Sequence, residues 1–138
     1  VAETRAPASV LDASALLAFA QDEVGAAVVD AALEGRSAIS VVNWAEALSK
    51  IAERGGDPAA LEAEYRECGF IGGALSIEPL TEGDCVEVAR LRPVTEPQGL
   101  SLADRACLVL AARLGVPALT SDGAFADADV EAEVTLIR

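Results

Sequence analysis

"LSLADRACLVLAARLGVPALTSDGAF", residues 100 to 125, decides the fold. Apolar residues recur from Leu102 to Leu114, a length too great for an ordinary strand, so the segment reads as a buried helix stopped by Gly115 and Pro117. "PALTS", 117 to 121, then reads as a short apolar strand, and Asp122-Gly123 as the turn that leaves it. Helix, strand and turn in close succession are one unit of an α/β protein. The same stretch poses a question, because Asp104 and Arg105 stand at the head of an otherwise apolar helix. Ser101 and Asp104 have the S-x-x-D spacing of a capping box, and an acid suits the positive end of a helix. The alternative is that Asp104 is one of several carboxylates gathered from distant parts of the chain.

Outward from this unit the alternation continues. Short apolar strands are expected at 9 to 12 ("SVLD"), 38 to 42 ("AISVV"), 74 to 80 ("ALSIEPL"), 117 to 121 and 133 to 137 ("EVTLI"). Helices fill the gaps at about 14 to 20, 24 to 34, 43 to 54, 58 to 67, 82 to 91 and 102 to 114. Strands apolar on both faces and joined by helices imply a mainly parallel sheet of about five strands in a three-layer α/β/α sandwich. Gly55-Gly56-Asp57-Pro58 and Gly72-Gly73 read as turns, and no linker or repeat divides the chain, so 1 to 138 is expected to be a single domain with a loose tail through Ala8.

Composition narrows the function. The 138 residues are 52% hydrophobic, enough for a real core. A net charge of -13, from 23 acidic against 10 basic residues, opposes broad attraction to phosphate backbones unless metal ions or local arginines intervene. Cys68, Cys85 and Cys107 are odd in number and lack C-x-x-C spacing, which fits thiols in a reducing compartment. No segment approaches the roughly 18 uninterrupted apolar residues of a membrane span, and no basic leader precedes "VLDASALLAFA", so the cytoplasm is the expected location. Histidine is absent altogether, which removes Ser-His-Asp and Cys-His nucleophilic systems, a histidine base and an ordinary zinc site. Phosphate-loop and dinucleotide-binding signatures are missing too. Carboxylate is what remains.

In open parallel sheets ligands gather beyond the carboxyl ends of the strands. Four acids are expected there. Asp12 follows "SVL", with Ser14 on the next turn; Glu46 lies one turn into the helix after the second strand, with Asn43 three residues earlier on roughly the same face. Asp104 opens the buried helix, and Asp122 follows the strand that carries Thr120. Each has a solitary explanation: an N-cap for Asp12, a first-turn acid for Glu46, a capping box for Asp104, a turn aspartate for Asp122. Their joint placement at one sheet edge has none. Crowded carboxylates raise one another's pKa unless a cation neutralises them, and an all-oxygen set favours magnesium or manganese. Such an ion activates water and offsets phosphate charge, which points to phosphodiester hydrolysis.

The ordered set "VLDASALL", "ISVVNWAEALSK" and "LSLADRACLVLAARLGVPALTSDGAF" resembles the PIN-domain ribonucleases, specifically the VapC toxins of bacterial toxin-antitoxin pairs, from Val10 to about Ile137. The resemblance implies a metal-dependent endoribonuclease using Mg²⁺ or Mn²⁺, with Asp12, Glu46, Asp104 and Asp122 as both catalytic and metal-binding acids. Ser14, Asn43 and Thr120 match positions that support the ligands or the attacking water. Asp127 and Asp129 lie close enough in sequence to share the part of Asp122. The resemblance also implies an RNA substrate, a cognate antitoxin wrapping the helices at 14 to 34 and 43 to 54, and homodimers.

Two other readings stand beside it. A haloacid-dehalogenase-like phosphatase also places an Asp after its first strand, but it needs a second Asp where this chain has Ser14 and a late lysine, and none follows Lys50. A non-catalytic interaction module would use its acids only as caps or against a basic partner. Of the remaining polar or aromatic residues, Trp44 is assigned to the core or a partner groove. Arg105 is expected to pair with a neighbouring acid or to bind phosphate. Arg90 and Arg92 are expected at a solvated helix end before a Pro-broken loop, with RNA contact as the alternative, and Lys50 is taken as structural.

Overall fold

The computed structural model describes residues 5–138. The part of the expected loose tail at residues 1–4 lies outside them; Ala8 donates its backbone N–H to the Arg36 carbonyl at 2.9 Å. Five strands, β1 (Ser9–Leu11), β2 (Ser37–Ser40), β3 (Leu75–Glu78), β4 (Ala118–Thr120) and β5 (Val134–Leu136), form one sheet in the order β3-β2-β1-β4-β5. Every neighbouring pair is parallel, as strands apolar on both faces require. The chain builds outward from β1 through β2 to β3, then crosses back to place β4 on the other flank of β1. That reversal makes the carboxyl ends of β1 and β4 the switch point at which open α/β sheets form a crevice.

The central strands are wholly buried and alternate between two cores, because successive side chains of a strand point to opposite faces. Leu11, Ile39 and Leu119 face one core with helices α1 (Ala13–Ala20), α2 (Ala26–Glu34) and α3 (Val41–Glu53). Trp44 sits there too, nearly fully buried, so its place is the core. The helix α4 (Pro58–Glu67) adds Tyr65 at that core's margin. Val10, Ala38 and Ala118 face the second core, against α6 (Leu102–Leu114). Residues 105 to 111 of α6 are all buried, as its apolar run predicts. Burying one Leu such as Leu108 contributes about 1.5–3 kcal/mol. Among the described residues no helix is long and apolar enough to cross a membrane.

Two elements differ from expectation. The helix expected to end near 91 continues as α5 (Glu82–Thr95) through Pro93. Proline removes one helical hydrogen bond and crowds the carbonyl four residues back, yet here it falls in the last turn, where Thr95 Oγ1 donates to the Leu91 carbonyl at 2.7 Å. Arg90 and Arg92 are thus on a continuous, exposed helix. The second difference is α7 (Gly123–Ala126), where the sequence suggests only a turn. Its single large apolar residue, Phe125, is fully buried in the second core and holds this short helix in place.

Candidate active site

The carboxyl end of β1 carries Asp12, whose carboxylate is held on three sides. Oδ1 accepts from the Ala15 N–H at 2.8 Å, which caps α1, and from Ser14 Oγ at 2.7 Å. Oδ2 accepts from Thr120 Oγ1 at 2.5 Å. Thr120 is the last residue of β4, the strand beside β1, so the sheet register itself delivers this contact. Both hydroxyls are in turn fixed by the chain leaving β4. Ser14 Oγ accepts from the Ser121 N–H, and Thr120 Oγ1 from the Asp122 N–H, each at 3.0 Å. A buried carboxylate is thereby tied through two hydroxyls to two backbone amides of the neighbouring strand end.

Three further acids face the same space. Asp104 is the third residue of α6 and completes the capping box read from the sequence: its N–H donates to Ser101 Oγ, and its Oδ2 accepts from the Ser101 N–H at 2.8 Å. Asp122 caps α7 through Oδ1, which accepts from the Ala124 N–H at 2.9 Å. Glu46 lies on α3 and its carboxylate accepts no hydrogen bond among the described residues; nor do Asp104 Oδ1 and Asp122 Oδ2. Asn43, one turn before Glu46 and fully buried, donates from Nδ2 to the Ala103 carbonyl at 3.0 Å. That bond pins α3 to the residue preceding Asp104, while Asn43 Oδ1 has no partner among the described residues.

Asp12, Glu46, Asp104 and Asp122 line one cavity of about 270 Å³ together with Ser14. Asp127 and Asp129 do not line it. A larger cavity of about 480 Å³ lies between α5 and α6, lined by Asp84, Glu87 and Glu131 but by none of the four acids, so place at the strand ends rather than size distinguishes the smaller one. Burial, partly offset by its three hydrogen bonds, raises the Asp12 pKa, and Asp104 raises it further. Glu46 is raised by burial, then by Asp104 and Asp12, against a lowering from Lys50. Beneath them Cys107 is buried, and burial with the fields of Asp12, Asp104 and Glu46 pushes its thiol well up. Such a thiol stays protonated and is no nucleophile.

Asp12, Glu46 and Asp104 therefore form a mutually repelling set, with Asp122 at its margin. Among the described residues no three acidic or sulfur groups stand close enough, as placed, to chelate one ion. The donor set nevertheless fits a hard divalent cation. It is all oxygen, it retains free oxygens on Glu46, Asp104 and Asp122, and its members destabilise one another's charge. Ser14 and Thr120 hold Asp12, and Asn43 holds the start of α6; of the three, Ser14 also lines the cavity.

Sequence reasoning missed the cavity's cations. Lys50, Arg54 and Arg138 line it with the acids, beside Glu23. Lys50 and Arg54 follow Glu46 by four and eight residues, a helical spacing that puts all three on one face of α3 and was there to be read. Arg138 has no such signal, since only the pairing of β5 with β4 brings it near. Arg105 contradicts both expectations for it: it is buried, donates from Nη1 to the Val88 carbonyl at 2.9 Å, and has no acidic partner among the described residues. Its position one residue after Asp104 rotates it about 100° around α6, away from the cavity and toward α5.

The PIN domain family model matches residues 9–131. No curated protein sequence matches the chain. Among solved structures, VapBC-5 of Mycobacterium tuberculosis, a member of the VapBC family of toxin-antitoxin systems, is 27% identical, with 96% of this chain and 99% of that one covered and a TM-score of 0.60. VapC20 of the same organism, a sarcin-ricin loop cleaving toxin, is 15% identical over 86% of this chain and 93% of its own, at a TM-score of 0.69. A toxin-antitoxin complex from Klebsiella pneumoniae is 17% identical over 94% and 98%, at 0.66. These low identities are likenesses of fold, and they agree with a parallel sheet whose strand ends assemble the acids. With most of its length matched by the family model, the chain belongs to the PIN domain family.

Proposed function

We propose that this protein is a divalent-metal-dependent endoribonuclease acting in the cytoplasm as the toxin of a toxin-antitoxin pair. The observation that carries the reading is the gathering of Asp12, Glu46, Asp104 and Asp122 from four separate stretches of chain around one cavity at the switch point of the sheet. Glu46, Asp104 and Asp122, with Asp12 through the remaining lone pair of Oδ2, would hold magnesium or manganese. Bound there, the ion supplies charge against the scissile phosphate and a more acidic water. The chain's own part is to hold the acids still. Ser14 and Thr120 orient Asp12, and Asn43 fixes the spacing of Glu46 and Asp104 across the α3–α6 contact. The bond broken is a phosphodiester, leaving a 3′ hydroxyl and a 5′ phosphate. Ser14, where a dehalogenase-like phosphatase needs its second aspartate, serves here as a donor to Asp12, which counts against that alternative.

The antitoxin is proposed to lie against α1, α2 and α3, where exposed Val24 and Val28 offer apolar contact and the acidic surface attracts a basic segment. Homodimers are part of the same proposal. The test is to incubate the protein with total small RNA in magnesium, manganese or chelator and map the cut ends. Cleavage in metal alone, lost in Asp12→Asn and Asp104→Asn variants that still fold, is expected. Absence of metal-dependent cleavage across a broad RNA panel, with no manganese binding by calorimetry, would leave the non-catalytic module as the better reading.

A further inference from the structure

We infer that Lys50, Arg54 and Arg138 form a rim that grips the phosphate backbone of single-stranded RNA beside the four acids; this rests on the nuclease reading and names how its substrate is held. The chain carries only 10 cations against 23 acids, so most of its surface repels RNA. Three of those ten cations nonetheless line the one cavity that holds the candidate acids. Glu46, Lys50 and Arg54 succeed one another along a single face of α3, with Arg54 as its C-cap. At 1.5 Å of rise per residue they are stepped by about 6 Å, a span of about 12 Å. That is a track of the scale on which successive phosphates of an extended strand repeat. Arg138 closes the other side, anchored through Nη1 to the Val24 carbonyl at 2.7 Å with its remaining donors free to point outward.

The present partners of these cations are weak competitors. Lys50 meets Glu53 at 3.4 Å in a largely exposed pair, Arg54 meets Glu23 at 3.6 Å in a part-exposed one, and Arg54 also donates to Gln21. Exposed pairs of this kind are screened and exchange readily for a phosphate. An acidic peptide is the less suitable guest, because its carboxylates would sit beside the four acids without bringing a scissile phosphate to the cation those acids would hold. No aromatic or amide side chain lines the cavity among the described residues, so its arginines are the groups best suited to touch a base and its contacts are chiefly with phosphate. The rim therefore contributes affinity mainly through the backbone, a contact that carries no sequence information directly.

The test measures binding without cleavage. Mixed-sequence single-stranded 2′-O-methyl RNA is titrated in magnesium by fluorescence anisotropy across a salt series. The Lys50→Gln/Arg54→Gln/Arg138→Gln variant is compared with Arg66→Gln/Arg90→Gln/Arg92→Gln, which removes the same charge from exposed positions outside the cavity. With about 0.7 of a unit of salt slope per phosphate contact on a single strand, the rim variant is expected to lose about 2 units and the control little. All six residues are exposed and glutamine keeps most of each stem, so both variants should fold, which circular dichroism checks. Equal slopes in wild type and rim variant, or equal losses in rim and control variants, would overturn the rim. A slope loss confined to the rim variant in a protein that cleaves no RNA would leave the rim standing and remove the nuclease.

Discussion

Thr120→Val is the sharpest test of how Asp12 is held. The substitution keeps the shape of the side chain and deletes only its hydroxyl, so no cavity opens. Two close contacts go with it, beside a long one to Ser14 Oγ at 3.5 Å. Asp12 Oδ2 loses its donor at 2.5 Å, and the Asp122 N–H loses its acceptor at 3.0 Å. A hydrogen bond to a charged group is worth about 1.5–3 kcal/mol and a neutral, part-exposed one about 0.5–1.5, which together give a cost of about 2–4.5 kcal/mol. In a chain of 138 residues that lowers the melting temperature by roughly 6–15 °C. Thr120→Ser keeps the hydroxyl and loses one buried methyl, for about 1 kcal/mol. Thermal melts of both variants in chelator measure the difference, and a pH series adds a second reading. Without Thr120 the Asp12 carboxylate is costlier to ionise, so the deficit of the valine variant should shrink as pH falls and Asp12 takes up a proton. A valine variant that melts at or above the serine variant would refute the claim that this hydroxyl stabilises a buried charge.

The remaining predictions concern the acids and their supports. Burial and mutual repulsion raise Asp12 and Glu46 above 3.8 and 4.5, so their ionised forms cost stability above the raised values and the cost vanishes below the ordinary ones. Metal-free protein should therefore gain melting temperature as pH drops from neutral toward that window, with Asp12→Asn flattening the gain; a steady fall over the same range would contradict it. Asn43→Ala frees the start of α6 from α3 and should lower kcat by ten- to a hundredfold while anisotropy shows RNA binding unchanged, because small displacements of reacting groups are expensive. Arg105→Met removes a buried guanidinium whose Nε has no partner, so urea melts should place it within about 1 kcal/mol of wild type or above it. Loss of RNA cleavage in a well-folded Arg105→Met protein would return that arginine to the site.

What could be read in the sequence was whatever depends on local period and spacing. The run from Leu102 to Leu114 predicts a helix, and the structure has one over those residues, because burial on most sides and a Gly stop are local properties. The parallel sheet followed from strands apolar on both faces. Pro93 misled because a breaker's effect depends on its distance from the helix end, which no residue near 91 announces. Phe125 turned a simple turn into α7 through a burial that only the second core explains. Arg105 went astray for a simpler reason, since adjacency in a helix separates side chains by about 100° and adjacency to a candidate ligand argues against sharing its face. Arg138 was beyond reach, as its place depends on the β4–β5 register.

The acids show why solitary and joint explanations could not be separated beforehand. Asp12, Asp104 and Asp122 each cap a helix as the bland reading holds, each with an oxygen on a backbone N–H. Capping occupies only part of a carboxylate. In Asp104 and Asp122 the second oxygen accepts nothing among the described residues, and in Asp12 it is steered by Thr120. The cap fixes the side chain's rotamer and thereby aims the oxygen it does not use, so under the proposed function the local role would be the means of the collective one. Glu46 is the exception that bears this out. It caps nothing and is instead positioned from below by Asn43, whose grip on Ala103 sets α3 against α6. A protein that needed caps alone would have no use for a buried amide at that crossing, and the placement of Asn43 is accordingly the part of the site that local sequence rules explain least.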